Sequence, residues 1–219
     1  MAEKVGGDAK AAFFLLLILA GIASILDVGF IGWLVGPICI LLGWFAIMRA
    51  PLRATMLTLM FFALALENPA EIPAAGQWKS PFFTMGALLL THLKTVIGGP
   101  WFFGGMDLML AAAGARWYLN RKRGGIITPK PMIRLAQYCY APIIFTYLVG
   151  KVHGGADNSM AIWQIDRVMY LPVVFLLCQA AFTGPNDYLA VGKVAFVASI
   201  LRALQAMYVR AVVPEVIDP

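Results

Sequence analysis

The sequence predicts an all-α fold, a polytopic transmembrane helix bundle forming one domain over residues 1–219, with about seven spans and one interfacial or re-entrant segment. Three observations carry this prediction. Hydrophobic residues make up 61% of the chain and the mean hydropathy is +0.81. Charged residues make up 13%, against about 25% in a typical soluble domain, too few to clothe a water-soluble globule of this size. Apolar windows suited to a hydrocarbon core about 30 Å thick recur along the chain, separated by charged or Pro/Gly-rich loops. The same composition excludes intrinsic disorder.

The first expected crossing runs from Ala11 to about Leu26, with Asp27 at a tight turn. Lys4 and Lys10 give this stretch a weak basic flank, but Glu3 and Asp8 dilute it and no clean A-x-A site follows, so an uncleaved helix is expected rather than a signal peptide. The second crossing is Val28–Met48, where Gly32 and Gly36 stand in the spacing that lets helices approach closely. The third, Thr55–Leu66, is short, and Arg53 and Glu67 are expected to snorkel at its ends. A polar, Pro-rich loop follows to Pro81. Phe82–Leu93 is apolar but shorter than the roughly 17 residues needed to span, and is assigned to the interface or to a re-entrant turn. Trp101–Leu119 is the fourth crossing, Pro131–Val149 the fifth, Val168–Thr183 the sixth and Tyr188–Val213 the seventh. Lys151–Arg167 reads as a polar loop, and Gly184-Pro-Asn-Asp187 as a turn.

The net charge of +6 and pI near 9.4 arise from cations in short loops, as topology signals beside anionic lipid do. No basic stripe interleaved with aromatics stands outside the apolar segments, so nucleic acid is not an expected partner. The positive-inside rule puts Arg49, Arg53 and the Arg121-Lys122-Arg123 loop in the cytoplasm, with Glu67–Pro81, Lys151–Arg167 and the C-terminus outside. Most of the six tryptophans fall near the expected interfaces. Cys39, Cys139 and Cys178 each lie in an apolar run and are expected to be free and buried.

Ionisable residues at membrane depth are the informative ones. Arg202 lies near the middle of the seventh crossing, where an arginine costs roughly 2.5–3.5 kcal/mol and calls for a partner or a water path. Arg210 is eight residues further on, about 80° away in helical projection, with Gln205 between them. Two readings stand open for Arg202: a basic face that holds a phosphate or pyrophosphate, or a structural pair with a carboxylate such as Asp107. Asp107, in the first third of the fourth crossing, is either wetted at the outer interface or faces a water-filled cavity. His92 and His153 are poorly placed for bis-His haem, and no His/Cys/carboxylate cluster has zinc spacing, so neither a metal nor a cofactor is expected. His153 with Asp157 and Asp166 reads as a solvated loop, with acid–base work as the sharper alternative. Phosphate-binding Gly-rich loops, nucleophile elbows and zinc-protease motifs are missing.

The stretch Leu66-Glu67-Asn-Pro-Ala-Glu71-Ile-Pro-Ala-Ala-Gly-Gln-Trp78-Lys-Ser-Pro81, running into Gly86-Ala-Leu-Leu-Leu, resembles the N-terminal half of bacterial O-antigen ligase/polymerase-like membrane proteins. Arg49-Ala-Pro-Leu-Arg53, Asn186-Asp187-Tyr188-Leu-Ala and Ile-Leu-Arg202-Ala-Leu fit the same resemblance. It implies an inner-membrane protein that moves glycan from a polyprenyl-pyrophosphate carrier, with Arg202 and Arg210 as carrier-phosphate contacts and no metal or nucleotide. The family's large outer loop in its C-terminal half, which carries acceptor chemistry, has no counterpart here. The resemblance therefore implies a chain complete only with a partner subunit or as an oligomer: a truncated relative, half of a split enzyme or a non-catalytic subunit. The other function class is a non-enzymatic scaffold in a larger membrane complex, which predicts apolar helix faces that only a partner covers. A small transporter is weaker still, because no inverted repeat or pair of broken helices stands out.

Overall fold

The computed structural model describes residues 15, 28–66, 86–87, 89–90, 104–122, 129–152 and 158–212. Among these the regular elements are six helices: α1 (Val28–Arg49), α2 (Leu52–Ala65), α3 (Gly105–Lys122), α4 (Lys130–Val152), α5 (Asn158–Ala181) and α6 (Pro185–Val212).

Local chemistry fixes the boundaries. The α1 segment has no charged residue before Arg49, and that arginine in the last turn meets the negative end of the helix dipole. Pro51 cannot continue α1; its φ of −59° and ψ of 142° turn the chain into α2. The Thr55 amide and hydroxyl both donate to the Pro51 carbonyl, closing the first turn of α2. At the other end Leu66 adopts an extended conformation and its amide returns to Phe62. α4 and α5 each carry an internal proline, Pro142 and Pro172, as helices in apolar surroundings tolerate.

The chain divides into two compact units, Met1–Ala113 with Gly184–Pro219, and Gly114–Thr183. In the first, α2 packs along α6. Leu52, Met56, Leu59 and Phe62 recur at three- and four-residue steps and are buried, the apolar stripe of a packed helix. Ala198 of α6 and Ala112 and Ala113 of α3 are fully buried, where a small side chain allows close packing. In the second unit α4 packs against α5. Leu177 and Ala136 are buried there, and the Tyr140 hydroxyl donates to the Met169 carbonyl at 3.1 Å. That carbonyl lies one turn before Pro172, beside the Val168 carbonyl whose helical donor the proline removes.

The all-helical expectation holds for the described residues. The span count does not carry over: two of the described helices, Lys130–Val152 and Pro185–Ala211, are both long and apolar enough to cross a membrane, against the seven expected. Ile40–Arg49, Leu52–Ala65 and Val168–Ala181 are shorter apolar stretches. α2 has 14 residues, about 21 Å of helix. α3 is diluted by Arg116, Asn120, Arg121 and Lys122. The first expected crossing, apart from the helical Leu15, and most of Phe82–Leu93 lie outside the described residues.

Three smaller expectations change. The Lys151–Arg167 loop is shorter than expected, because α4 continues to Val152 and α5 begins at Asn158, taking in Asp166. A helix satisfies its own backbone whether or not its side chains are apolar, so hydropathy ends the fifth crossing too early and begins the sixth too late. Cys139 and Cys178 are free as expected, but neither is buried: Cys139 is exposed on α4 and Cys178 is partly exposed on α5. Arg53 does not simply snorkel, as the site geometry shows.

Candidate functional site

The best-defined polar site joins the first turns of α2 and α6. The sequence Gly184-Pro185-Asn186-Asp187 starts α6 with proline at the first helical position, where its missing N–H costs nothing. Three residues past Gly184, the Asp187 side chain reaches back and its Oδ2 accepts the Gly184 N–H at 2.9 Å. This is the reaching-back half of a capping box, and it puts a carboxylate at the positive end of the helix dipole. Oδ1, the other oxygen, meets Arg53 Nε at 2.5 Å. The Asp187 side chain is 12% exposed and that of Arg53 49%, so the acid is sheltered and the base is half in solvent. Both carboxylate oxygens are thus used, one for a helix start and one for a contact between helices.

Asp107 repeats the first half of this arrangement. Its Oδ2 accepts the Gly104 N–H at 2.7 Å, within Gly104-Gly-Met-Asp107 at the start of α3. It stands in the first turn of its helix, at the positive end of the dipole. The shared Gly-x-x-Asp spacing is the signal by which sequence reasoning could have found both caps.

Arg202 and Arg210 lie on α6 and are exposed, Arg210 in the last turn. Neither Asp107 nor Arg202 is without an interaction partner. Gln205, between the two arginines, buries both amide atoms with no hydrogen-bond partner among the described residues. His92, His153 and Asp157 lie outside the described residues, and of Asp166 only the backbone is described. Among the described residues no cluster of three His, Cys, Asp or Glu side chains could hold a metal ion.

Two further features are physical rather than polar sites. Cations stack on aromatic rings four residues earlier at the C-terminal ends of three helices. Arg49 lies over Phe45 in α1 at 4.7 Å, and Lys151 over Tyr147 in α4 at 5.6 Å. In α3, Arg121 lies over Trp117 at 5.5 Å and Lys122 over Tyr118 at 5.4 Å. The spacing places the pair on one helix face, and the cation meets the negative end of the dipole. The second feature is a groove of about 320 Å³ between α2 and α6, lined by Leu57, Thr58, Phe61, Lys193, Val194 and Val197. None of Asp107, Arg202 or Arg210 lines it.

No protein-family model, curated protein or solved structure matches the chain.

Proposed function

We propose that the chain is a multi-span inner-membrane protein of a bacterium, acting as a non-enzymatic helical subunit of a larger membrane assembly. One observation carries this reading: the two described helices that are both long and apolar enough to cross a membrane are uncovered. Only 6% of the apolar window of α4, and 6% of that of α6, is buried. The core helix of a soluble protein reaches such hydropathy by being enclosed by its own chain. Here Tyr138, Phe145 and Leu148 of α4 and Phe196, Leu204 and Met207 of α6 are exposed, so lipid or another subunit must cover them.

Helix lengths agree with this reading. α1 has 22 residues and α5 has 24, about 33 and 36 Å at 1.5 Å per residue, enough for a core about 30 Å thick. The aromatic–cation pairs at the helix ends are the chemistry of interfacial anchors, with the ring at headgroup level and the charge reaching to water. With Ala11–Leu26 as a further crossing, seven spans result, and the Arg121-Lys122-Arg123 loop is cytoplasmic.

Fractionation tests the reading. The chain should stay in the membrane pellet through alkaline carbonate extraction, and after mild detergent release it should sediment as a particle heavier than one copy in its micelle. Release by carbonate would overturn the membrane assignment. A lone monomer in every mild detergent would overturn the subunit assignment.

A second reading keeps the glycan resemblance, favoured by the exposure of Arg202 and Arg210 on one helix. There the guanidiniums hold the pyrophosphate of a polyprenyl-linked glycan, a role the single point charge of lysine reproduces poorly. Arg202→Lys should then insert normally yet lower polyprenyl-phosphate binding, and Arg202→Leu should insert more readily and bind none. Unchanged binding in Arg202→Leu at normal expression would remove this reading.

A further inference from the structure

We propose that the groove between α2 and α6 binds an anionic phospholipid, with its headgroup at the Arg53–Asp187 end and one acyl chain along the groove; the inference rests on the membrane reading above. The groove walls are Leu57, Thr58 and Phe61 on one side and Val194 and Val197 on the other, an apolar track suited to a hydrocarbon chain. Among the described residues, Lys193 is the one charged side chain that lines it.

The direction of the helices says where that charge goes. Arg53 and Asp187 join the first turns of α2 and α6, and further along both helices Leu57–Phe61 and Lys193–Val197 line one groove, so the two run the same way and begin at the same level. Helical side chains lean toward the N-terminus of their helix. Lys193 stands eight residues beyond Pro185, about 12 Å along the axis, and its long stem can carry the ammonium back toward the helix starts. At that level the nearby acid is already engaged, since Asp187 takes Arg53 on one oxygen and the Gly184 amide on the other. Its charge is matched and does not cancel that of Lys193. The start of α2 adds to this charge, because its positive end carries no side-chain cap. The lip of the groove is thus net positive and its floor apolar.

A phosphatidylglycerol-type lipid complements both parts. A zwitterionic lipid brings its own cation to Lys193 and gains less there. Free phosphate finds the charge but nothing to occupy the groove. A partner helix would fill the groove without needing an anion at Lys193.

The test uses the full chain purified in a neutral detergent and titrated with phosphatidylglycerol, phosphatidylcholine or inorganic phosphate, with bound lipid counted by native mass spectrometry. Phosphatidylglycerol should bind at least about fivefold more tightly than phosphatidylcholine, the weight of one cation beside an anionic surface. Lys193→Gln should erase that preference and Lys193→Arg should keep it. Val197→Trp, which fills the groove, should weaken both lipids. Lys193 is exposed, so its variants should fold, and an unchanged melting temperature checks this. Equal binding of the two lipids, an unaffected Lys193→Gln variant, or competition by inorganic phosphate as strong as by phosphatidylglycerol would overturn the proposal. Failure of the membrane reading is separate: the chain would then stay soluble when the detergent is removed.

Discussion

The guanidinium of Arg53 and the carboxylate of Asp187 meet at 2.5 Å, joining the start of α2 to the start of α6 across most of the intervening chain. In a membrane protein such a contact constrains topology, because two helix starts that touch lie at one interface. The number of crossings between them is then even. α4 and α5 are linked by a short connection and pack together, so as an antiparallel hairpin they add an even number whatever their depth. In the proposed topology α2 and α3 take the chain over and back. Phe82–Leu93 is therefore expected to add no net crossing, as its length suggests on independent grounds.

The pair is asymmetric, and stability should show it. Asp187→Ala removes the acceptor for both Arg53 and the Gly184 amide and should cost about 1–3 kcal/mol. Arg53→Gln removes a half-exposed partner and should cost no more than about 1 kcal/mol. Exchanging the two residues should not restore stability, because an arginine at 187 cannot accept from Gly184 and sets a cation at the positive end of the helix. Unfolding of the three variants in detergent would decide this; full rescue by the exchange would reduce Asp187 to a simple ion-pair partner.

The aromatic–cation pairs make a depth prediction. In a variant with Trp117 as the only tryptophan, brominated lipids should quench its fluorescence most when the bromine is near the headgroups. Arg121→Leu removes the cation over the ring and should move Trp117 toward the hydrocarbon. Stronger quenching by bromine near the bilayer centre in the unaltered chain would remove Trp117 from the interface.

Small residues should divide into two classes. A Cβ added at Gly114, Gly150 or Gly192 meets nothing within 4 Å, so alanine should be tolerated and should stabilise each helix by up to about 1 kcal/mol. Ala198 is fully buried, and Ala198→Leu should cost about 1–3 kcal/mol by overpacking. Melting temperatures that fall for Gly192→Ala and hold for Ala198→Leu would show that the α6 packing is misassigned.

Tyr140→Phe removes the hydroxyl that bridges α4 to α5 beside Pro172. The contact is exposed, so the loss should be at the low end of a hydrogen bond's worth, about 0.5 kcal/mol. Faster amide exchange around Met169 should accompany it, and unchanged exchange there would show that the bond does not hold the two helices together.

How legible these features were depended on the kind of signal each residue leaves. The start of α1 at Val28 and the extents of α4 and α6 follow from apolar runs bounded by Pro, Gly or charge, and the sequence shows them nearly in register. The expected start of α5 at Val168 falls ten residues, nearly three turns, after its actual start, because Asp166 and Arg167 lower the hydropathy while leaving the helix intact. Gly184-Pro-Asn-Asp187 was readable as a turn, and its Gly-x-x-Asp spacing, shared with Gly104–Asp107, marks the cap as well. The partner of Asp187 was not readable. No spacing rule links Arg53 to a residue so distant, and a loop arginine beside a crossing satisfies the snorkelling pattern equally well. Arg202 drew attention through the cost of its depth, but that cost names no partner.

The shared interface of the two helix starts is tested most directly by cysteine labelling. Ala50→Cys, just before α2, and Asn186→Cys, at the start of α6, would each be placed in a chain whose Cys39, Cys139 and Cys178 are replaced by serine. Sealed inverted and right-side-out vesicles would then be exposed to a membrane-impermeant maleimide. Both positions should label in inverted vesicles and both should be protected in right-side-out ones. Labelling of the two positions from opposite sides would contradict the Arg53–Asp187 junction in the membrane and the topology built on it.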